Sequence, residues 1–262
     1  DPPLPPRQTL PTMYDLPSEN PEEPGLPDEF HDFQPSLLRH TFKPANYDPD
    51  EVFVGADLNL YYDLRHPNWY KRPDWFAVMG VSRLYEGHDL RLSYVLWQEL
   101  ISPFVVVELL SPGTEDEDLG RTVPQRGKPP TKWQVYEQIL RVPYYIVFSR
   151  YTNELQAFRL VAGAYERAQL TEGRLLIPQL GLSISLWQGC YENIERLWIR
   201  WFTAEGELIL TPGEEAAAAQ QEVAAAQQEV AAAQQEAAEA RQRAERLAAK
   251  LRELNIDPDE LE

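Results

Sequence analysis

The chain has 262 residues, of which 43% are hydrophobic and 25% charged, and its formal net charge is −18. A single cysteine, Cys190, excludes a disulfide framework and a zinc site built from several cysteines. No apolar run approaches the roughly 20 residues that span a bilayer, and no signal-peptide pattern opens the sequence, so we expect a cytoplasmic protein with no membrane partner.

The acidic charge is concentrated in the two flanks of the chain. Residues 1–50 hold 10 acidic and 3 basic residues, and residues 214–262 hold 12 and 5, whereas residues 51–213 hold 20 and 16. A strong overall negative charge argues against nucleic acid as a partner, because phosphate contacts supply most nonspecific affinity. The nearly balanced central region leaves that partner class open.

The first 50 residues contain 12 of the 23 prolines and show no helical or strand period. Proline removes a backbone donor and interrupts regular structure, so residues 1–50 are predicted to form an extended acidic arm. Four of its apolar side chains could still dock on the following domain: Phe30, Phe33, Leu37 and Leu38.

Residues 51–213 alternate between strand and helix patterns, which predicts an α/β domain. Residues 104–110 are continuously apolar except for Glu108, as in a strand buried on both faces. Thr131 and Gln134 have the spacing of a capping box, so a helix is predicted to begin there and to end at Pro143. Further strands are predicted at 52–54, 58–62, 75–79, 144–148, 155–161, 165–170, 197–202 and 207–210.

A seven-residue repeat follows Gly213. The sequence QQEVAAA occurs at 220–226 and at 227–233, and QQEAAEA follows at 234–240. The repeat predicts a continuous coiled-coil-like helix over 214–262 whose apolar stripe ends in Leu247, Leu251 and Leu254. We interpret it as a tail that forms homo-oligomers. The alternative is a solitary helix stabilised by the intrinsic propensity of its Ala, Gln, Glu and Arg residues.

Three residues suggest chemistry: Asp74, Glu108 and Lys132. Asp74 follows Pro73 at the start of one predicted strand and Glu108 lies inside another, so neighbouring strands could bring the two carboxylates together. A carboxylate within an apolar strand requires a compensating cation or hydrogen bonds, and paired carboxylates form a hard oxygen site suited to Mg²⁺. Lys132 shares a helix face with Tyr136, so its ammonium group can face the sheet.

Each of these residues also has a purely structural interpretation. Asp74 could be a turn residue, Glu108 a core acid paired with an arginine, and Lys132 a solvated lysine. The acidic run at 115–118 is expected to be a solvated loop or helix start. The four histidines lack zinc-like spacing: His31, His40, His66 and His88.

Two segments are candidates for contacting DNA. One is a loop in which four cations fall within 12 residues: Arg121, Arg126, Lys128 and Lys132. The other interleaves two aromatics with two cations just before Asp74: Trp69, Tyr70, Lys71 and Arg72. Packing in the core or at its rim is the alternative role of these aromatics.

The order of the motifs resembles the Uma-type family of restriction endonucleases, within the PD-(D/E)XK nuclease superfamily. The motifs are Pro73-Asp74, then VVVELLSPGT at 105–114, then KWQVYEQILRVPYYIV at 132–147. The resemblance covers about residues 50–212. It implies a restriction-endonuclease-like mixed central sheet flanked by helices, and hydrolysis of DNA phosphodiester bonds with Mg²⁺ or Mn²⁺ as cofactor.

The same resemblance implies roles for individual residues. Asp74 and Glu108 would be catalytic metal ligands, the carbonyl of Leu109 a further ligand, and Lys132 the catalytic cation. The superfamily places a lysine where this chain has Leu110. The rival interpretation is therefore a non-catalytic assembly protein that retains the nuclease-like fold.

Overall fold

A computed structural model describes residues 28–125 and 127–253. The chain divides into two compact units, Asp1–Ile209 and Leu210–Glu262. Within the described residues of the first unit, twelve strands form three sheets. In chain order they are β1 (Val52–Gly55), β2 (Leu60–Tyr61), β3 (Tyr70–Lys71), β4 (Trp75–Met79), β5 (Tyr94–Val95), β6 (Val105–Leu109), β7 (Tyr144–Ser149), β8 (Glu154–Val161), β9 (Ala164–Arg167), β10 (Arg174–Ile177), β11 (Leu182–Tyr191) and β12 (Ile194–Thr203). The α-helices of this unit are α1 (Glu29–Thr41), α2 (Leu96–Glu99), α3 (Glu115–Asp118) and α4 (Lys132–Gln134), and α4 continues as a π-helical turn at Val135–Ile139.

The central sheet has six strands in the order β1-β4-β6-β7-β8-β9. β6 and β7 are parallel, and the other neighbouring pairs are antiparallel. Every residue of β6 is buried, and its side chains alternate between two apolar clusters on opposite faces. This confirms the prediction of a strand buried on both faces.

One face of the central sheet packs against α1 and an antiparallel sheet, β10-β11-β12. Its core contains Leu37 of α1, Val107 of β6 and Trp201 of β12. Gln34 joins α1 to β12, because its side chain donates to the carbonyl of Ile199 at 2.8 Å and accepts from the amide of Ile199 at 3.0 Å. A fully paired buried amide fixes the position of α1 on the sheet.

The opposite face packs against α4, its π-helical turn, and a small sheet in the order β3-β2-β5. Val106 and Tyr145 of the central sheet meet Tyr136 of the helix. Thr131 caps this helix by accepting from the amide of Gln134 at 3.3 Å, and the Gln134 side chain accepts from the amide of Thr131 at 3.2 Å. The predicted capping box is confirmed, and the molecule has the α/β architecture that the sequence predicts: a mixed central sheet flanked by helices.

The prediction of an extended arm over residues 1–50 is wrong for residues 29–41, which form α1. Asp28 caps this helix by accepting from the amide of His31 at 2.9 Å. Phe30, Leu37 and Leu38 are buried at helical spacing. Burial of that stripe offsets the backbone hydrogen bond lost at Pro35, inside the helix. Residues 1–27 of the predicted arm lie outside the described residues.

A second correction concerns the strand predicted at residues 207–210. This segment forms a single bridge, between Phe202 and Leu208. The strands β11 and β12 pair with each other over ten residues each, so Phe202 already has a full partner in Ser183.

The second unit contains one continuous helix, α5 (Pro212–Glu253), of 42 residues. Its apolar side chains remain largely in solvent: Val223, Val230 and Leu247 are 57%, 56% and 57% exposed. Leu254, the last residue of the predicted stripe, lies outside the described residues. In the part of the chain that the structure describes, no helix is long and apolar enough to cross a membrane.

Candidate functional site

Asp74 and Glu108 meet at the ends of two neighbouring strands. The antiparallel register pairs Trp75 with Val107, which places Asp74 opposite Glu108 and directs both side chains to the same face. The amide of Asp74 donates to Glu108 Oε2 at 3.4 Å, and the amide of Leu109 donates to Asp74 Oδ2 at 2.6 Å. The two carboxylates therefore converge, instead of lying on opposite faces of the sheet.

Lys132 reaches the same point from the first turn of α4. Its Nζ lies 3.0 Å from Glu108 Oε2 and 2.9 Å from Asp118 Oδ1. The capping box at the start of α4 fixes the backbone from which this side chain extends. Leu110, at the position where the superfamily has its lysine, is buried in the core instead. The ammonium group beside Glu108 thus comes from the helix.

The sequence predicts that the acidic run at 115–118 is solvated, and this prediction is wrong for Glu117 and Asp118. Asp118 is 1% exposed and paired with Lys132. Glu117 Oε1 accepts from Lys71 Nζ at 2.7 Å and from the Lys132 amide at 2.8 Å. Glu115 remains exposed. The run therefore supplies two carboxylates that hold cations at the site.

Burial strongly disfavours charge on the acids. Burial raises the pKa of Glu108 to about 7, the ammonium of Lys132 opposes this rise, and the charge of Asp74 adds to it. The pKa of Asp74 is also raised by burial, and that of Asp118 is raised by burial to about 6. Tyr136, fully buried, donates its hydroxyl to Glu108 Oε1 at 2.7 Å. One ammonium and one phenol thus face three carboxyl groups.

This donor set fits a divalent cation. Three carboxyl groups beside one ammonium leave negative charge, which a cation would neutralise. Within residues 28–125 and 127–253, no group of three or more His, Cys, Asp or Glu side chains is arranged to hold a metal ion. Mg²⁺ commonly binds through one or two carboxylates and takes its other ligands from water and substrate phosphates. Asp74 and Leu109 line the cavity, whereas both oxygens of Glu108 already accept hydrogen bonds, from Tyr136 and Lys132.

His31 of α1 also lies at the site, a position that no sequence pattern indicates. Its Nδ1 lies 2.9 Å from Asp28 Oδ1, and its Nε2 lies 3.3 Å from the carbonyl oxygen of Leu109 and 3.2 Å from Ser111 Oγ. Burial alone would lower the pKa of His31, but the hydrogen bond to Asp28 and the charge of Asp74 raise it to about 9. His31 therefore lies within hydrogen-bonding distance of the Leu109 carbonyl, the group that the sequence resemblance implies as a further metal ligand.

A cavity of about 690 Å³ opens beside these groups. His31, Asp74, Leu109 and Lys132 line it, whereas Glu108 lies behind them without exposed surface. The volume lies within the range typical of ligand pockets, about 300–1,000 Å³. The cavity gives solvent and ligands access to Asp74 and Lys132. The carboxylate of Glu108 lies behind them, paired with Lys132.

The candidate DNA-contacting residues separate into two groups. Tyr70, Lys71 and Arg72 line the cavity. Trp69 instead stacks on the ring of His66 at 3.8 Å. Of the loop cations, Arg121 and Lys128 do not line this cavity, and Arg126 lies outside the described residues.

A family model matches most of the chain. The sequence model of the family Uma2, described as "Putative restriction endonuclease", matches residues 7–190, more than two thirds of the chain. The matched range includes His31, Asp74, Glu108 and Lys132. None of the curated proteins that were compared matches the chain.

Proposed function

The chain belongs to the Uma2 restriction endonuclease family, and from that premise we propose that it is a divalent-metal-dependent endonuclease that hydrolyses phosphodiester bonds in DNA. The observation that supports this most is the convergence of Asp74, Glu108 and Lys132 at one cavity. Two carboxylates and an ammonium group, brought together from three parts of the chain, are a set of groups that can assist phosphodiester hydrolysis.

The cofactor would be Mg²⁺ or Mn²⁺, held by Asp74, Glu108 and the carbonyl of Leu109. When bound, the ion polarises the scissile phosphate and lowers the pKa of the attacking water. Asp74 reaches the cavity directly, and its Oδ2 is oriented by the amide of Leu109 at 2.6 Å. Glu108 is held by Tyr136 and Lys132, so its carboxylate is fixed before any ligand arrives.

Lys132 would stabilise the negative charge that develops on the phosphate. Its pKa is raised well above the usual lysine value, because the charges of Asp118, Glu108 and Asp74 outweigh the effect of burial, so it stays charged at neutral pH. Asp118 acts as a positioning residue, because it anchors the ammonium 2.9 Å away, beside Glu108. A preorganised cation needs no reorganisation during the reaction.

His31 and Lys71 add positive charge at the wall of the same cavity. Asp28 orients the His31 ring, and Glu117 orients the Lys71 ammonium at 2.7 Å. Both cations are thereby held at the cavity, where they attract a polyanion without entering the bond-breaking step. The nearly balanced charge of residues 51–213 permits such binding despite the acidic flanks.

A plasmid-nicking assay with Mg²⁺ or Mn²⁺ tests the proposal. The native chain should convert supercoiled plasmid to nicked and linear forms, and Asp74→Asn and Glu108→Gln should abolish conversion. Glu166→Gln, an exposed acid on β9, is the matched control and should cleave normally. Equal cleavage by Glu108→Gln and the native chain would identify a contaminating nuclease and overturn the assignment.

The rival function, a non-catalytic assembly protein, is favoured by one observation. Leu110 occupies the position where the superfamily has its lysine, and it packs into the core. Under this alternative, the native chain would cleave neither supercoiled nor nicked plasmid with Mg²⁺ or Mn²⁺, although its circular dichroism spectrum shows that it is folded. The residual function would then reside in association through the helical tail.

A further inference from the structure

A second cavity, of about 590 Å³, lies next to the candidate active site. Arg39 lines both cavities. The side chains of the second cavity that matter here come from the end of α1, the segment after it, β1 and the loop after β4: Arg39, Phe42, Lys43, Tyr47, Phe53 and Arg83.

The charged side chains that line this second cavity are all basic among the described residues. Three basic side chains line it, and none of the described residues lining it is acidic. Arg39 donates to the carbonyl of Val54 at 3.0 Å, and burial and the charge of Arg83 lower its pKa. Among the described residues, neither Arg39 nor Arg83 forms an ion pair with a carboxylate, whereas Arg91 binds Glu99 at 2.7 Å. Arg39 and Arg83 are both exposed, and their charges interact, so the two guanidinium groups can bind one anion together.

The rest of the lining is apolar and aromatic. Phe42 and Phe53 are buried, and Tyr47 is half-buried. The ring of Phe53 is already stacked on Tyr94, so the half-buried Tyr47 is the ring on which a planar ligand could stack while its anion binds guanidinium. Nucleotides combine a planar ring with a negative charge.

The two cavities occupy one groove between α1 and β1. Ser36 of α1 lines the first cavity and Phe42 the second, and Val54 of β1 lines the second while Ala56, just beyond β1, lines the first. Ser36 and Phe42 are six residues apart, or about 9 Å along a helix. Because Arg39 lines both cavities, one extended strand of DNA can pass from the first cavity into the second.

We propose that the second cavity binds an unpaired nucleotide of the substrate strand, close to the scissile phosphate. Its phosphate binds Arg39 and Arg83, and its base contacts Phe42 and Tyr47. This inference rests on the proposed function and specifies its substrate class. A base can enter a cavity only when it leaves the duplex, so the preferred substrate is single-stranded DNA or DNA with unpaired nucleotides at the cleavage site.

Binding in EDTA separates this inference from the nuclease activity itself. Fluorescence anisotropy would compare a labelled single-stranded oligonucleotide with the duplex of the same sequence. Arg83→Gln should weaken single-strand binding about tenfold and reduce its salt dependence by about one phosphate contact. Arg167→Gln removes the same charge on β9, at the opposite edge of the central sheet, and should leave affinity unchanged.

A second variant tests the base contact. Tyr47→Leu keeps an apolar side chain but removes the ring face, and should weaken single-strand binding about tenfold. Circular dichroism and the unfolding midpoint confirm that each variant is folded. Native affinity of folded Arg83→Gln for the single strand, or tighter binding of duplex than of single strand, would overturn the inference. Single-strand binding that depends on Arg83 in a protein that cleaves nothing would support this site while refuting the nuclease.

Discussion

Lys132 Nζ lies 3.0 Å from Glu108 Oε2, although the two residues are 24 positions apart and belong to different elements. The strand β6 brings the carboxylate and the first turn of α4 brings the ammonium. Glu108 and Asp118 share this single cation. The stability of the site therefore depends on this ammonium group, to which the proposed function also gives a role in catalysis.

Lys132→Met should destabilise the metal-free protein more at pH 8 than at pH 5. A pH of 8 is above the pKa values of Glu108 and Asp118, about 7 and about 6, so both side chains are ionised at that pH. The substitution would leave these two carboxylates without their cation. An uncompensated buried charge costs roughly 3–5 kcal/mol. At pH 5 both acids are protonated and the cost falls. Urea unfolding at the two pH values measures the difference.

The exposed Lys128→Met provides the control, with little change at either pH. An equal cost of Lys132→Met at pH 5 and pH 8 would contradict the assigned ion pairs. In the nicking assay, removal of this cation should reduce the rate by about 10²–10³, measured at pH 6, where the variant keeps more of its stability.

Glu108→Gln should maintain or increase the stability of the metal-free protein at pH 8. The pKa of Glu108 is raised in the folded state, to about 7, so the fold favours its protonated form and loses stability as pH rises from about 4.5 through 7. Glutamine is neutral throughout, so thermal unfolding in EDTA should show a smaller fall in midpoint between pH 5 and pH 8 for the variant. A loss of roughly 3 kcal/mol or more would instead show that the ion pair of Glu108 with Lys132 stabilises the metal-free fold by more than the burial of its charge costs.

His31→Gln should remove a different pH-dependent contribution. The folded-state pKa of His31 is raised from 6.5 to about 9, so its stabilisation is complete below pH 6.5 and is lost as pH rises through 9. The difference in unfolding free energy between the native chain and the variant, measured in EDTA, should therefore shrink from pH 6 to pH 10. His66→Gln, on the surface beside Asp63, is the matched histidine control. A difference that is constant with pH would contradict the Asp28–His31 pairing.

The sequence predicts those parts of the site that local patterns determine. The capping box at Thr131 fixes where α4 begins, and an apolar strand interrupted by one acid marks Glu108 as a residue that needs a partner. The motif order then suggests Asp74 and Lys132. Each of these patterns spans only a few neighbouring residues, so it can be recognised without knowledge of the tertiary structure.

The positions of Asp118 and His31 at the site could not be predicted from the sequence, for reasons that the structure explains. Asp118 lies in a run of four acids whose usual environment is solvent, and its burial depends on Lys132, 14 positions later. His31 lies in a segment with 12 prolines in 50 residues, a composition that predicts extended structure although part of the segment forms an amphipathic helix. The spacing of Phe30, Leu37 and Leu38 after a capping Asp28 was the available signal.

The last prediction concerns α5 and its association with a second copy. Because Val223, Val230 and Leu247 are each more than half exposed in the single chain, the apolar stripe is available to a partner helix. We expect the stability of that association to come mainly from Leu247, Leu251 and Leu254, since each buried leucine contributes roughly 1.5–3 kcal/mol and alanine far less. Replacing all three with alanine should convert dimers or trimers to monomers while the first unit keeps its unfolding midpoint. Arg246→Ala, outside the stripe, should leave the assembly intact. Sedimentation velocity measures the size of the assembly. A native chain that is monomeric at tens of micromolar would refute self-association. In that case α5 would be a solitary helix or a docking site for a different protein.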